Sequence, residues 1–194
     1  MDDKVNRPVV VTSGPQIQIQ RTPVPDTSEP QIQIQRTPIS DDVLERVYVL
    51  GQGMCPTPFA YAQLKNWVEK CPEFCIEFQA TLEGAAPTPM GVVIMLPIVK
   101  THWMDVIVGK IRENDVDATT MFARDPGAEV GLHIFYIERF DTVSRQRNFG
   151  VLALNTARVI AEKKGWNLAG FSGMSSDSPP RCHVATASLN ILPC

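Results

Sequence analysis

At 194 residues the chain has room for one domain with a tail, and not for two ordinary domains. Apolar residues at 44% and charged residues at 20% match a globular protein and exclude a disordered or fibrous chain. Eighteen basic and twenty-one acidic residues, with no Lys/Arg cluster, give a net charge of −3 and exclude the electrostatic footprint of a nucleic-acid binder.

The N-terminus, Met1-Asp-Asp-Lys, lacks the basic start and apolar stretch of a signal peptide. The longest apolar run, Gly91–Val99, is about half of a bilayer span. A cytoplasmic protein with no membrane partner is therefore expected. Five cysteines, an odd number without regular spacing, do not read as a disulfide framework.

Six of the sixteen prolines fall in the first forty residues, where the chain also repeats itself. Pro15–Pro23 recurs letter for letter at Pro30–Pro38, and in each copy isoleucines alternate with glutamines, the period of a half-buried strand. The second copy is the better strand, because Ser40-Asp41-Asp42 follows at once and can cap a helix through Val43, Leu44, Val47 and Leu50, ended by Gly51. The first copy runs into Pro23, Pro25 and Pro30. Residues 1–29 therefore read as a proline-rich arm and residues 30–194 as the domain. The arm buries too little to offset its ordering entropy, so its removal is expected to leave the melting temperature within a few degrees. A duplicated strand can also pair with another chain's sheet edge, which makes a homodimer an expectation to test.

Thr57-Pro58 suits an N-cap followed by the first helical position, opening a helix with Phe59, Leu64, Trp67 and Val68 on one side that stops near Pro72. Phe74–Leu82 alternates as a strand with one wet face formed by Cys75, Glu77 and Gln79. Gly84 turns the chain, and Met90–Val99 reads as a strand buried on both faces. A short helix over Trp103–Val108 ends at Gly109, and Ala118–Gly127 is a loop. Glu129–Ile137 is a strand, Phe149–Lys164 an amphipathic helix closed by Gly165, and Trp166–Phe171 another strand. The order β, α, α, β, β, short α, β, α, β places the chain in the α/β (α+β) class.

The passage from Glu129 to Gly165 carries the most chemistry. A strand feeds, through Arg147-Asn-Phe-Gly150-Val-Leu152, directly into a helix. Glycine there lets a ligand approach the backbone, and the free amides of a first helical turn attract an anion such as a pyrophosphate; an ordinary strand-to-helix turn is the competing reading. Strand parity puts Glu129, Gly131, His133, Phe135 and Ile137 on one face, with Glu138 on the other as an ion-pair partner for Arg139 or Arg145. Glu129 is a solvated strand-start residue or a general base. His133 is a satisfied sheet histidine or a proton acceptor. Ser172-Gly-Met-Ser is not a nucleophile elbow. Cys71 and Cys75 read as buried structural thiols, with no metal site expected. The three tryptophans are too scattered for a base-stacking platform.

Arg147-x-x-Gly150 at the start of a long helix, in this succession of elements, resembles the Gcn5-related N-acetyltransferase superfamily over roughly 140 residues, Ile32 to Phe171. The match is partial, since Leu152 stands where that family has Gly or Ala. The resemblance implies a mixed, mostly antiparallel sheet with helices on both faces, in which Glu129–Ile137 and Trp166–Phe171 lie side by side and diverge at one end. It implies acetyl-CoA as co-substrate and an amine as acceptor. The pyrophosphate would lie on the amides of Gln146, Arg147, Asn148, Phe149, Gly150, Val151 and Leu152, and the pantetheine arm along Phe135, Tyr136 and Ile137. Glu129 or His133 would take the amine's proton. Only twenty-three residues follow Phe171, and no tyrosine follows Tyr136, so the C-terminal part reads as shortened. That keeps a non-catalytic acyl-CoA-binding or protein-interaction module on the same fold as the alternative.

Overall fold

The computed structural model describes residues 32–54, 58–82, 84–140, 148–177 and 181–184. The second repeat copy forms β1 (Ile32–Pro38), and the predicted arm lies outside the described residues. Then come α1 (Asp41–Met54), α2 (Tyr61–Lys70), β2 (Cys75–Leu82), β3 (Thr88–Val99), α3 (Lys100–Ile107), β4 (Glu129–Arg139), α4 (Phe149–Lys163), β5 (Asn167–Asp177) and β6 (Arg181–Val184). The strands lie in sequence order in a six-stranded sheet. Every pairing is antiparallel except β4 with β5, which are parallel and joined by α4. The mixed, mostly antiparallel architecture expected from the sequence is thus the one observed.

Helices cover both faces. Residues 92, 94, 96 and 98 of β3 share the face on which Phe135 meets Phe59 and Trp67, with ring centroids 5.2 and 4.9 Å away, and on which α3 lays Trp103 over Gly131. On the opposite face, Phe149 of α4 packs edge-on against Phe78 at 5.4 Å, and Phe74 stacks on Trp166 at 5.6 Å. α4 presents Ala153, Ala157 and Ala161 to the sheet, small residues that let it approach closely. β3 is buried on both faces, as its unbroken apolar run predicts. Full burial of Trp67, Leu64, Ile94 and Leu96 contributes roughly 1.5–3 kcal/mol per side chain.

Four local expectations are corrected. Gly51 does not end α1: it stays helical and buried, and a Cβ there would lie 3.2 Å from the Phe59 ring. It is glycine to admit that ring, whereas Gly165, at φ 71°, terminates α4. Ser40 accepts the first bond of α1 through its carbonyl (Leu44 N–H, 2.9 Å), but its hydroxyl donates across to the Glu77 carboxylate at 3.3 Å rather than capping. That contact accounts for Glu77 in the third correction, and the Cys71 thiol, 3.8 Å from that of Cys75, covers the other residue. Cys75 and Glu77 are buried rather than wet, with Glu77 only 6% exposed. The helix preceding Pro72 begins at Tyr61, with Ala60 rather than Thr57 as N-cap; Thr57 lies outside the described residues.

Candidate functional site

β4 and β5 run side by side from Glu129–Asn167 to Ile134–Gly173, where their ladder stops. Both strands continue. β4 stays with β3, and β5 leaves to pair with β6 from Met174 onward. Among the described residues, Phe135–Glu138 therefore has β3 on one side and no ladder to β5 on the other. The expected divergence is present, at the C-terminal end of β4.

The same stretch carries a bulge. Tyr136 pairs with Ile94 and Ile134 with Met95, so Phe135 is an extra residue that inverts the alternation beyond it. This overturns the simple parity. Ile137 does not share the face of Glu129, Gly131 and His133, and Glu138 does. Ile137 is 41% exposed, on the face covered by α4. Phe135 is spent in the aromatic cluster, and Tyr136 is buried with its hydroxyl donating to Glu138 Oε2 at 3.0 Å. The other Glu138 oxygen takes the Arg46 guanidinium of α1; Arg145 lies outside the described residues. Arg46 also lies 4.6 Å above the Phe140 ring.

α4 begins beside this opening, since a Cβ at Gly91 would meet both the Phe149 ring and the carbonyl of Glu138 at 2.6 Å. The N-cap residue, Asn148, gives no side-chain bond to the helix. By helix geometry the amides of Phe149, Gly150 and Val151 point out of the first turn. Gly150 is exposed, with no atom within 4 Å of where its Cβ would stand, and Val151 is exposed. The Leu152 amide does not belong to this set, because it donates to the Asn148 carbonyl at 3.0 Å; its side chain packs on the core, away from the turn. Gln146 and Arg147 lie outside the described residues.

The two candidate proton acceptors sit elsewhere. Glu129 is at the closed end of the strand pair, five residues before Ile134, which is about 16 Å along a strand. It is solvent-exposed and paired with Lys100 at 2.7 Å. His133 is 1% exposed and committed at both nitrogens, Nδ1 to Ser172 Oγ at 2.9 Å and Nε2 to Glu113 Oε1 at 2.6 Å. Trp103 Nε1–H donates to the same Ser172 oxygen at 2.7 Å. One arrangement satisfies the whole chain: indole N–H to Ser172, Ser172 O–H to Nδ1, and Nε2–H to Glu113. Ser172 and Glu113 were not anticipated, because 39 and 20 residues separate them from His133 and nothing in their spacing marks them. The order Ser–His–Glu is that of a nucleophilic triad, but a serine 1% exposed beneath an indole has no approach for a substrate.

Cys71 and Cys75 are buried thiols with sulfurs 3.8 Å apart, and burial first, then the neighbouring Cys75, pushes the Cys71 thiol up. Among the described residues, no group of three or more His, Cys, Asp or Glu is placed to hold a metal, and no helix is long and apolar enough to cross a membrane.

Burial, then the hydrogen bond and charge of Glu138, raise the Tyr136 phenol from 10.0 to about 12, with Arg46 opposing. The folded protein thus holds a proton that the unfolded chain has already released. The stability this lends is complete below about pH 10 and is lost as pH rises through about 12. A phenolate absorbance step near pH 12 is expected, absent from Tyr136→Phe.

No protein-family model and no curated protein sequence matches the chain. Among solved structures, the chain is similar to Arabidopsis thaliana NAA60 in complex with acetyl-CoA, at 16% identity over 73% of this chain and 74% of that one, with a TM-score of 0.44. It is likewise similar to the same plant protein in complex with a bisubstrate analogue, at 14% identity over 76% of each chain, with a TM-score of 0.43.

Proposed function

We propose that this chain transfers an acyl group, acetyl in the simplest case, from coenzyme A to an amine at the opening between β4 and β5. The observation that carries this reading is the divergence beyond Ile134–Gly173 next to a helix start that the Asn148 side chain does not cap. An extended pantetheine arm fits where β5 has left, along Phe135, Tyr136 and Ile137, with the exposed Ile137 as its apolar contact. The pyrophosphate then meets the amides of Phe149, Gly150 and Val151, where helix partial charge and open space at Gly150 both favour it. In this reading Gln146, Arg147 and Asn148 complete the turn.

The reaction joins the amine nitrogen to the thioester carbonyl carbon and breaks the C–S bond; the departing coenzyme A thiolate takes up the proton that the nitrogen loses as the amide forms, and leaves as the thiol. The protein must align the partners, polarise the carbonyl by a backbone N–H, and accept the ammonium proton before attack. For that proton we assign Glu138 rather than Glu129 or His133. Glu138 stands on the diverged stretch itself, and the bulge turns it to the α1 side.

A non-catalytic acyl-CoA-binding module is the second reading. It is favoured by one observation: both Glu138 oxygens are already engaged, by Arg46 and by Tyr136. Thiol release from acetyl-CoA with mixed amines, run beside a thermal shift with coenzyme A, separates the two. Turnover that falls about 10²–10⁴-fold in Glu138→Gln, with binding kept and Glu129→Gln unaffected, supports the enzyme. A thermal shift without turnover supports the module, and neither signal removes both.

A further inference from the structure

β1 is an edge strand held by one neighbour, and the chain contains its sequence twice. Its register against β2 runs from Ile32–Leu82 to Pro38–Ile76, and every residue of it has an identical counterpart fifteen positions earlier, Ile17 to Pro23. We propose that β2's outer edge is a strand-binding site with two in-chain occupants, and that Ile17–Pro23 takes the place of Ile32–Pro38 in a minority form of the protein.

What β2 recognises in β1 lies within the repeat. Ile34 packs on the core, and Thr37 Oγ1–H donates to the Glu77 carbonyl at 3.4 Å. Ile19 and Thr22 supply the same groups at the same register. Beyond the repeat the copies differ, and the difference favours the observed one. Ile39 packs on the core and the Ser40 hydroxyl reaches the Glu77 carboxylate, where the first copy has Val24 and Pro25. Exchange lengthens the connection to α1 by fifteen residues, and loop-closure entropy grows only logarithmically with length. At the C-terminal end of β1, Arg36, Thr37 and Pro38 border an open pocket of about 350 Å³ with Glu73, Ile76 and Ile160. A tethered copy competes at high effective concentration, which favours the same chain over a second molecule.

The test is disulfide trapping in the full chain. Gln35 is the cross-strand partner of Gln79, so Gln35→Cys with Gln79→Cys reports the observed occupant, and Gln20→Cys with Gln79→Cys the alternative. Under mild oxidation the second pair should link within one chain, at a lower yield than the first. Adding Ile34→Asp, which spoils only the second copy, should raise the 20–79 yield by about tenfold. If that variant does not fold, Ile34→Thr applies the same bias more gently. A 20–79 link that never forms while 35–79 does, or that is unchanged by either substitution, overturns the proposal. So does a link found only between two chains.

Discussion

Gly131→Ala should destabilise the protein by about 3 kcal/mol, among the larger effects that one added methyl produces in a packed core. A Cβ at Gly131 would overlap the five-membered ring of Trp103, and Gly170, its partner on β5, leaves 3.1 Å between its own Cβ position and the far edge of the indole. The indole therefore rests on a two-glycine bed spanning the strand pair. It cannot lift without loss, because its N–H is committed to Ser172 at 2.7 Å and the ring is 7% exposed. Raising it opens a void and breaks the chain of bonds through His133 to Glu113. For a domain of this size the melting temperature should fall by roughly 6–12 °C. Urea denaturation of Gly131→Ala, Trp103→Leu and the double variant gives the coupling, which should be large and compensatory. A change below about 0.5 kcal/mol in Gly131→Ala would mean that the indole is not seated there.

Gly150→Glu should move stability and binding in opposite directions. Nothing lies within 4 Å of the Cβ position, so the side chain enters solvent. Glutamate replaces the poor helix former glycine in the first turn of α4, beside the positive end of the helix, and should raise stability by roughly 0.5–1 kcal/mol. The same carboxylate stands where we place the coenzyme pyrophosphate. Calorimetry with acetyl-CoA should show affinity reduced by at least about tenfold, or 1.4 kcal/mol, relative to wild type. Gly150→Ala, adding a methyl and no charge, should fall between. Equal heats for wild type and Gly150→Glu would remove the pyrophosphate from this turn, whatever the protein's activity.

What could be read from the sequence was what the chain decides locally. Met90–Val99 announces a doubly buried strand because nothing polar interrupts it, and α4 announces both ends because Phe149 opens an apolar periodicity and Gly165 closes it. What could not be read depends on a partner. The wet face expected for β2 is dry at Cys75 and Glu77 because the Cys71 thiol and the Ser40 hydroxyl meet them from outside the strand, which no alternation within Cys75–Leu82 reveals. The parity of β4 fails at Phe135 because the bulge is set by register with β3. His133 looked like a titratable group facing a cleft, and only the arrival of Ser172 and Glu113 from distant segments makes it a buried fixture. The glycine turn was legible, while the distinction between its outward-pointing amides and that of Leu152, bonded back to Asn148, was not.

The polar chain from Trp103 to Glu113 crosses the strand pair at His133–Ser172, one residue before the ladder ends. It works as the pivot of a pair of shears. Below it the two blades are joined by the ladder down to Glu129–Asn167; above it each blade is anchored to a different neighbour, β3 or β6. Changing the gape then requires only a change in where β6 draws β5, far from the rivet and from the core. If the opening holds the acyl-CoA as we propose, descendants of this chain can adapt it to bulkier or slimmer acyl groups through substitutions in β6, leaving the hinge untouched.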